Sequence, residues 1–146
     1  MTALVDTNIL IYCWDWGFPQ KLAAARETLR SGLAADRLCL PHQAVVEFMS
    51  AVTRPRRGGL ALLTPQSAWR ETENLLTAFP VLYPNDGVVR TALRGMATYQ
   101  LSWYDAHLWA YAEHYGVSEI LSEDFEDGRL YGTVRVKNPF IEAGLA

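Results

Sequence analysis

Short apolar runs alternate with stretches of helical periodicity along the chain, and this alternation, more than any other feature, restricts it to α/β architectures. Leu4-Val5 ends at Asp6-Thr7-Asn8, beyond which Ile9, Tyr12, Cys13 and Trp16 recur at helical spacing: strand, turn, helix. Lys21 to Leu33, rich in Ala, Leu, Arg and Glu with Gly32 near its end, predicts a second helix, and Arg37 to Leu40 a second strand. From Ala44 to Thr53, Val45, Phe48, Met49 and Val52 form an apolar stripe that Pro55 and Gly58-Gly59 close. Thr64-Pro65 has the cap-then-proline order of a helix start, here running to about Phe79. A strand at Val81 to Tyr83, helices at Gly87 to Tyr99 and Ser102 to Tyr115, and strands at Glu119 to Leu121 and Thr133 to Val136 complete the pattern. The expectation is a parallel β-sheet flanked by α-helices on both faces. Ligands of such sheets gather beyond the carboxyl ends of the strands, where Asp6 and Asp124 both fall.

With 146 residues, half of them hydrophobic and 20% charged, the chain suits one compact domain over residues 1–146. The first apolar stretch, Ala3 to Tyr12, is interrupted by Asp6, and nothing approaches the roughly 18 apolar residues of a membrane span. It also lacks a basic leader and a small-residue cleavage site, so the expected location is the cytoplasm, away from membranes. Cys13 and Cys39 sit among apolar neighbours outside any Cys-x-x-Cys pair and read as buried thiols. A net charge of −3 argues against a general polyanion binder but leaves room for a local basic track at Arg54, Arg56 and Arg57. Each of these arginines also fits a solvated helix end or loop.

Among the carboxylates, Asp6 fits a helix cap or Asx turn. Glu47 lies on the polar side of its helix with Gln43, Ser50 and Arg54, where periodicity alone makes it solvent-exposed. Asp105 falls within the apolar face of Leu108, Trp109 and Ala112 and needs a partner there. That partner is either the helix itself, through the Ser102-x-x-Asp105 spacing of a capping box, or a bound cation. Asp124 belongs to the acidic loop Ser122-Glu123-Asp124-Phe125-Glu126-Asp127-Gly128, which lacks the ligand spacing of an EF-hand.

Taken in order, these segments resemble the PIN-domain family, and within it the VapC-like toxin branch, along nearly the whole chain. Leu4-Val5-Asp6-Thr7-Asn8-Ile9-Leu10 is similar to the family's opening strand with its first acid, and Tyr12 and Pro19-x-Lys21 also fit the toxin branch. Gln43-x-x-x-Glu47-Phe48 followed by Val52-Thr53-Arg54 resembles the second-acid helix. Leu101-Ser102-x-x-Asp105-Ala106 resembles the third-acid motif and Leu121-Ser122-Glu123-Asp124 the fourth. Ser122 replaces a frequent threonine, and His107 stands where an aliphatic residue is usual.

The resemblance implies a PIN-like fold in which Asp6, Glu47, Asp105 and Asp124 converge as catalytic residues around one or two Mg²⁺ or Mn²⁺ ions. Asn8 and Ser122 would be supporting polar groups, and Asp15 and Asp127 weaker candidates that read as surface residues rather than ligands. Hard divalent cations take oxygen ligands, whereas His42, His107 and His114 have no zinc-site spacing. Two carboxylates about 5 Å apart repel by roughly 3 kcal/mol at an effective dielectric near 20, so convergence of four favours a cation over separate caps. Bound metal would hold the scissile phosphate and activate water for in-line hydrolysis of RNA, with the three arginines on flanking phosphates. The toxin branch further implies a cognate antitoxin protein and a homodimer. Alternatives are a housekeeping RNA-processing nuclease and a catalytically silent PIN-like scaffold. An aspartate-nucleophile phosphatase would need a second acid where Asn8 stands.

Overall fold

The computed structural model describes residues 1–145. In chain order the elements are β1 (Ala3–Val5), α1 (Thr7–Tyr12), α2 (Pro19–Ala34), β2 (Leu38–Pro41), α3 (His42–Thr53), α4 (Pro65–Ala78), β3 (Val81–Leu82), α5 (Asp86–Tyr99), α6 (Trp103–Tyr115), β4 (Glu119–Leu121), β5 (Leu130–Tyr131), β6 (Val134–Lys137) and α7 (Pro139–Glu142). The strands form one six-stranded sheet in the order β3-β2-β1-β4-β6-β5. All neighbours are parallel except β5, which returns antiparallel on β6. This is the expected sheet plus an edge strand that periodicity could not reveal, because two residues carry no period.

Helices cover both faces, which is why β1 and β2 are apolar and buried at every position. Ala3, Val5, Leu38 and Leu40 point into a core shared with Ile9 and Leu10 of α1, Ala25 of α2, Phe48 and Val52 of α3 and Ala68 of α4. Leu4, Cys39 and Ile120 point the other way, toward Val88 and Ala92 of α5 and Ala106, Leu108 and Trp109 of α6. Gly95 of α5 is required by that second layer: a Cβ there would lie 2.6 Å from the Trp109 ring. Both cysteines are buried and free, and burial pushes each thiol up to about 11. Among the described residues no helix is long and apolar enough to cross a membrane.

The first helix is shorter than its apolar spacing suggests. It ends at Tyr12, and the Asp15 carboxylate accepts from the Gly17 N–H at 3.0 Å, turning the chain toward Pro19. Trp16 is consequently 70% exposed rather than on the core face.

Candidate active site

Register places the first pair of site residues. Val5 pairs with Leu121 in the parallel β1–β4 ladder, so Asp6 and Ser122 leave the sheet side by side. The Asp6 N–H donates to the Leu121 carbonyl at 3.0 Å, and the Ser122 hydroxyl donates to Asp6 Oδ2 at 2.5 Å. Asp6 Oδ1 accepts from the Thr7 N–H at 2.6 Å, the cap expected at the start of α1. Capping is thus real, and it occupies only one side of this carboxylate.

Asn8, one residue into α1 from Thr7, joins the two strand ends. Its Nδ2 lies 3.2 Å from Asp6 Oδ2, 3.0 Å from Asp124 Oδ2 and 3.3 Å from Ser122 Oγ, while Ser122 Oγ also accepts from the Asp124 N–H. The loop carrying Asp124 is tied down through its neighbour. Glu123 accepts from the Tyr12 hydroxyl at 2.7 Å and from Lys21 at 2.9 Å, and the Lys21 ammonium lies over the rings of Tyr12 and Phe140. Tyr12 and Lys21 therefore hold the fourth-acid loop, a role their sequence positions alone do not disclose.

Glu47 and Asp105 come from helices on opposite faces of the sheet. The α3 stripe of Val45, Phe48 and Val52 is buried in the core, but Glu47 is half-buried and not solvated as its periodicity suggests, because the start of α6 covers that side. Its Oε1 accepts from the Thr7 hydroxyl at 2.9 Å and from Gln43 Nε2 at 3.4 Å. Asp105 sits in the first turn of α6, where the Ser102 hydroxyl accepts from its N–H at 3.2 Å.

All four acids line one cleft of about 310 Å³, together with Thr7, Asn8, Gln43, Arg54 and Tyr104. Burial pushes the Asp6 carboxyl up to about 7, opposed by the Ser122 hydrogen bond and reinforced by the charges of Asp124 and Asp105. Asp105 is also raised, first by burial, then by Asp124, with Glu47 adding to the effect. Among the described residues no three His, Cys, Asp or Glu side chains are drawn together tightly enough to make a closed metal cage. The donor set is nonetheless all oxygen, which suits a hard divalent cation, and Asn8 Oδ1 is buried beside these acids with no hydrogen-bond partner.

Of the three arginines, Arg54 lines the cleft and donates to Ser50 at 3.0 Å. Arg56 turns away to pair with Asp15 at 3.0 Å, and Arg57 is an exposed loop residue. Asp15 is buried, 5% exposed, and not the surface residue expected, because its carboxylate serves both the Gly17 turn and the Arg56 pair. Asp127 is exposed and accepts from the Asn138 N–H, a local structural contact.

Three comparisons bear on this arrangement. A search of curated proteins finds no match. Among solved structures, the chain is similar to a toxin-antitoxin complex from Klebsiella pneumoniae, with 17% identity, a TM-score of 0.66, and coverage of 94% of this chain and 97% of that one. It is similar to the DNA-bound VapBC of Salmonella typhimurium at 14% identity and a TM-score of 0.70, covering 95% and 98% of the two chains. It also matches VapC20, a sarcin-ricin loop cleaving toxin of Mycobacterium tuberculosis, at 17% identity and a TM-score of 0.60, covering 84% and 91%. At these identities the structures speak for the shared fold. The family model named PIN domain matches residues 3–130, a span that begins at β1 and includes Asp6, Glu47, Asp105 and Asp124, and the chain belongs to the PIN-domain family.

Proposed function

We propose that this protein is a ribonuclease that hydrolyses phosphodiester bonds of single-stranded RNA with Mg²⁺ or Mn²⁺, and that it is the toxin of a toxin-antitoxin pair. The observation that carries the proposal is the meeting of four carboxylates from four separate segments in one cleft, with Asp6 pushed up to about 7. Caps and turns do not require acids to share a cleft, whereas a cation offsets their mutual repulsion. A hard ion bound by Asp6, Asp105 and Asp124 would supply charge neutralisation at the scissile phosphate and acidify the attacking water.

Within that site Ser122, the Thr7 N–H and Asn8 hold Asp6 from three directions, so its carboxylate is oriented before any ligand arrives. Asn8 sets Asp124 relative to Asp6. Glu47, held by Thr7 and Gln43 on the far wall, either completes the ligand set or orients the water. The toxin assignment is supported by family membership and by the fold shared with toxin-antitoxin complexes; an antitoxin would cover the cleft, and homodimers are expected with it. A cytoplasmic location goes with this assignment.

Protein freed of antitoxin should cut single-stranded RNA in Mg²⁺ or Mn²⁺, stop in EDTA and resume when the metal is restored. Full cleavage in chelator would sink the metal dependence, and no cleavage under any condition would favour a silent scaffold.

Arg54 is expected to carry most of the basic contribution, since its guanidinium alone of the three lines the cleft. Arg54→Ala should weaken RNA binding and reduce the slope of log affinity against log salt by about 0.7, one phosphate contact on a single strand. Arg56→Ala should change the slope less, because that charge is already paired with Asp15. A slope unchanged in the Arg54, Arg56 and Arg57 triple alanine variant would return all three to ordinary surface charge.

A further inference from the structure

His107 has no part in the chemistry above, yet it ends a chain of hydrogen bonds that reaches Glu47. On α6, Trp103, His107 and Tyr111 follow one another at steps of four residues and share a face. Trp103 lies 5.6 Å from the imidazole at 36°, and Tyr111, itself 1% exposed, meets it edge-on at 5.2 Å and 84°. Held between them, the ring puts Nδ1 2.6 Å from Gln43 Oε1, a residue 64 positions away in sequence. Gln43 stands one turn before Glu47 on α3, and its Nε2 donates to the Tyr104 carbonyl at 3.1 Å and to Glu47 Oε1 at 3.4 Å.

The orientation of the Gln43 amide decides whether this chain holds. With Nε2 toward α6 and Glu47, both neighbours are oxygen acceptors and both are satisfied. Reversed, Oε1 would face a carbonyl and a carboxylate, two repulsive contacts in a half-buried place. A proton on His107 Nδ1 selects the first orientation, since it needs an oxygen opposite it. A proton on Nε2 alone would leave Nδ1 an acceptor and favour the reversed amide.

We propose that His107 is a positioning residue: by donating from Nδ1 to Gln43 it holds the Gln43 amide with its N–H groups toward Glu47, and so fixes the Glu47 carboxylate on the cleft wall. His107 touches neither substrate nor ion. Its effect on cleavage rests on the nuclease reading of Glu47, whereas the hydrogen-bonded chain does not.

Two variants separate this role from simple packing between Trp103 and Tyr111. His107→Leu removes the donor and keeps an apolar filler; His107→Asn places an amide N–H near the position of Nδ1. The first measurement is the imidazole ¹⁵N spectrum of the wild-type protein near about pH 8, where the neutral tautomer is resolved. Titration with Mn²⁺ alone and steady-state RNA cleavage follow for each variant. The expected results are a proton on Nδ1, and in His107→Leu a fall in Mn²⁺ affinity and kcat of about 10- to 100-fold, the range seen when outer supports of a metal site are removed. KM should move little, His107→Asn should return both quantities to within a few-fold, and His107→Leu should add nothing in a Glu47→Gln background. An Nε2–H tautomer would overturn the proposal even if both variants fail to fold. So would His107→Asn behaving like His107→Leu. Wild-type protein that binds Mn²⁺ through this chain but cuts no RNA would sink the nuclease reading and leave the positioning role supported.

Discussion

Metal-free protein is expected to lose stability as pH rises from about 4 to about 8, and Asp6→Asn is expected to remove most of that dependence. Burial, and then the charges of Asp124 and Asp105, raise the Asp6 carboxyl from 3.8 to about 7 in the folded state, against the pull of Ser122 and the Thr7 N–H. The folded chain thus holds this proton more tightly than the unfolded chain does. Its contribution to stability is fully present below 3.8, fades through the interval, and is gone once pH passes the folded value near 7. At about 1.4 kcal/mol for each tenfold difference in proton affinity, the whole effect is roughly 4 kcal/mol. Asp105 is shifted in the same direction and adds to it.

Asparagine cannot ionise, so the variant should gain at pH 8 what the wild type has lost there. Part of the gain is cancelled, because Asp6 Oδ2 accepts from both Ser122 and Asn8, and an amide nitrogen in its place leaves one donor unmatched, worth about 1–3 kcal/mol. A net advantage of about 1–3 kcal/mol at pH 8 remains, shrinking or reversing toward pH 4. Urea unfolding of both proteins in EDTA across this range measures it. Mn²⁺ should then stabilise the wild type strongly at pH 8 and the variant weakly, since an ion stabilises only the state that binds it. A flat wild-type profile, or a variant less stable than wild type at pH 8, would show that Asp6 carries no uncompensated charge.

Sequence reading located Asp6 and Asp124 for a reason visible in the fold. Asp6 directly follows the buried strand β1, and Asp124 lies three residues past Ile120-Leu121, the buried end of β4, so both emerge beyond the carboxyl edge of the sheet. Glu47 was hidden by the same logic that exposed its helix: periodicity reports the face of α3 that meets the sheet, whereas Glu47 lies beside the start of α6, about sixty residues on. Asp105 shows the limit of a helical wheel from the other side, since α6 is buried at every residue from Leu108 to Ala112 and has no clean polar face against which to judge it. Asp15 reads as surface because nothing local marks the Arg56 pair that spans the loop after α3. The short β5 and α7 lie below the length at which a period can be recognised.

Asp105→Asn should raise the melting temperature of the metal-free protein at neutral pH, shrink its stabilisation by Mn²⁺ and reduce RNA cleavage by more than about 100-fold, beyond what the loss of an outer support produces. The contrary expectation comes from the Ser102-x-x-Asp105 capping spacing, under which the substitution costs about 0.5–2 kcal/mol and leaves cleavage largely intact. The capping hydrogen bond seen runs from the Asp105 N–H to the Ser102 hydroxyl at 3.2 Å, and a change of the Asp105 side chain leaves it in place. What the change does remove is a carboxylate raised by burial and by its neighbours Asp124 and Glu47, so the repulsion between that charge and the remaining acids is lost. For a chain of this size each kcal/mol gained moves the melting temperature by roughly 2–4 °C, well within the reach of a thermal scan. On the proposed metal-dependent mechanism the loss of cleavage follows too, because an ion without one of its oxygen ligands would be displaced from the phosphate it would neutralise. Melting with EDTA, melting with Mn²⁺ and cleavage of single-stranded RNA, run side by side on both proteins, give opposite signs for the two readings. A lower metal-free melting temperature with near-normal cleavage would assign Asp105 to its own helix and leave three acids to hold the ion.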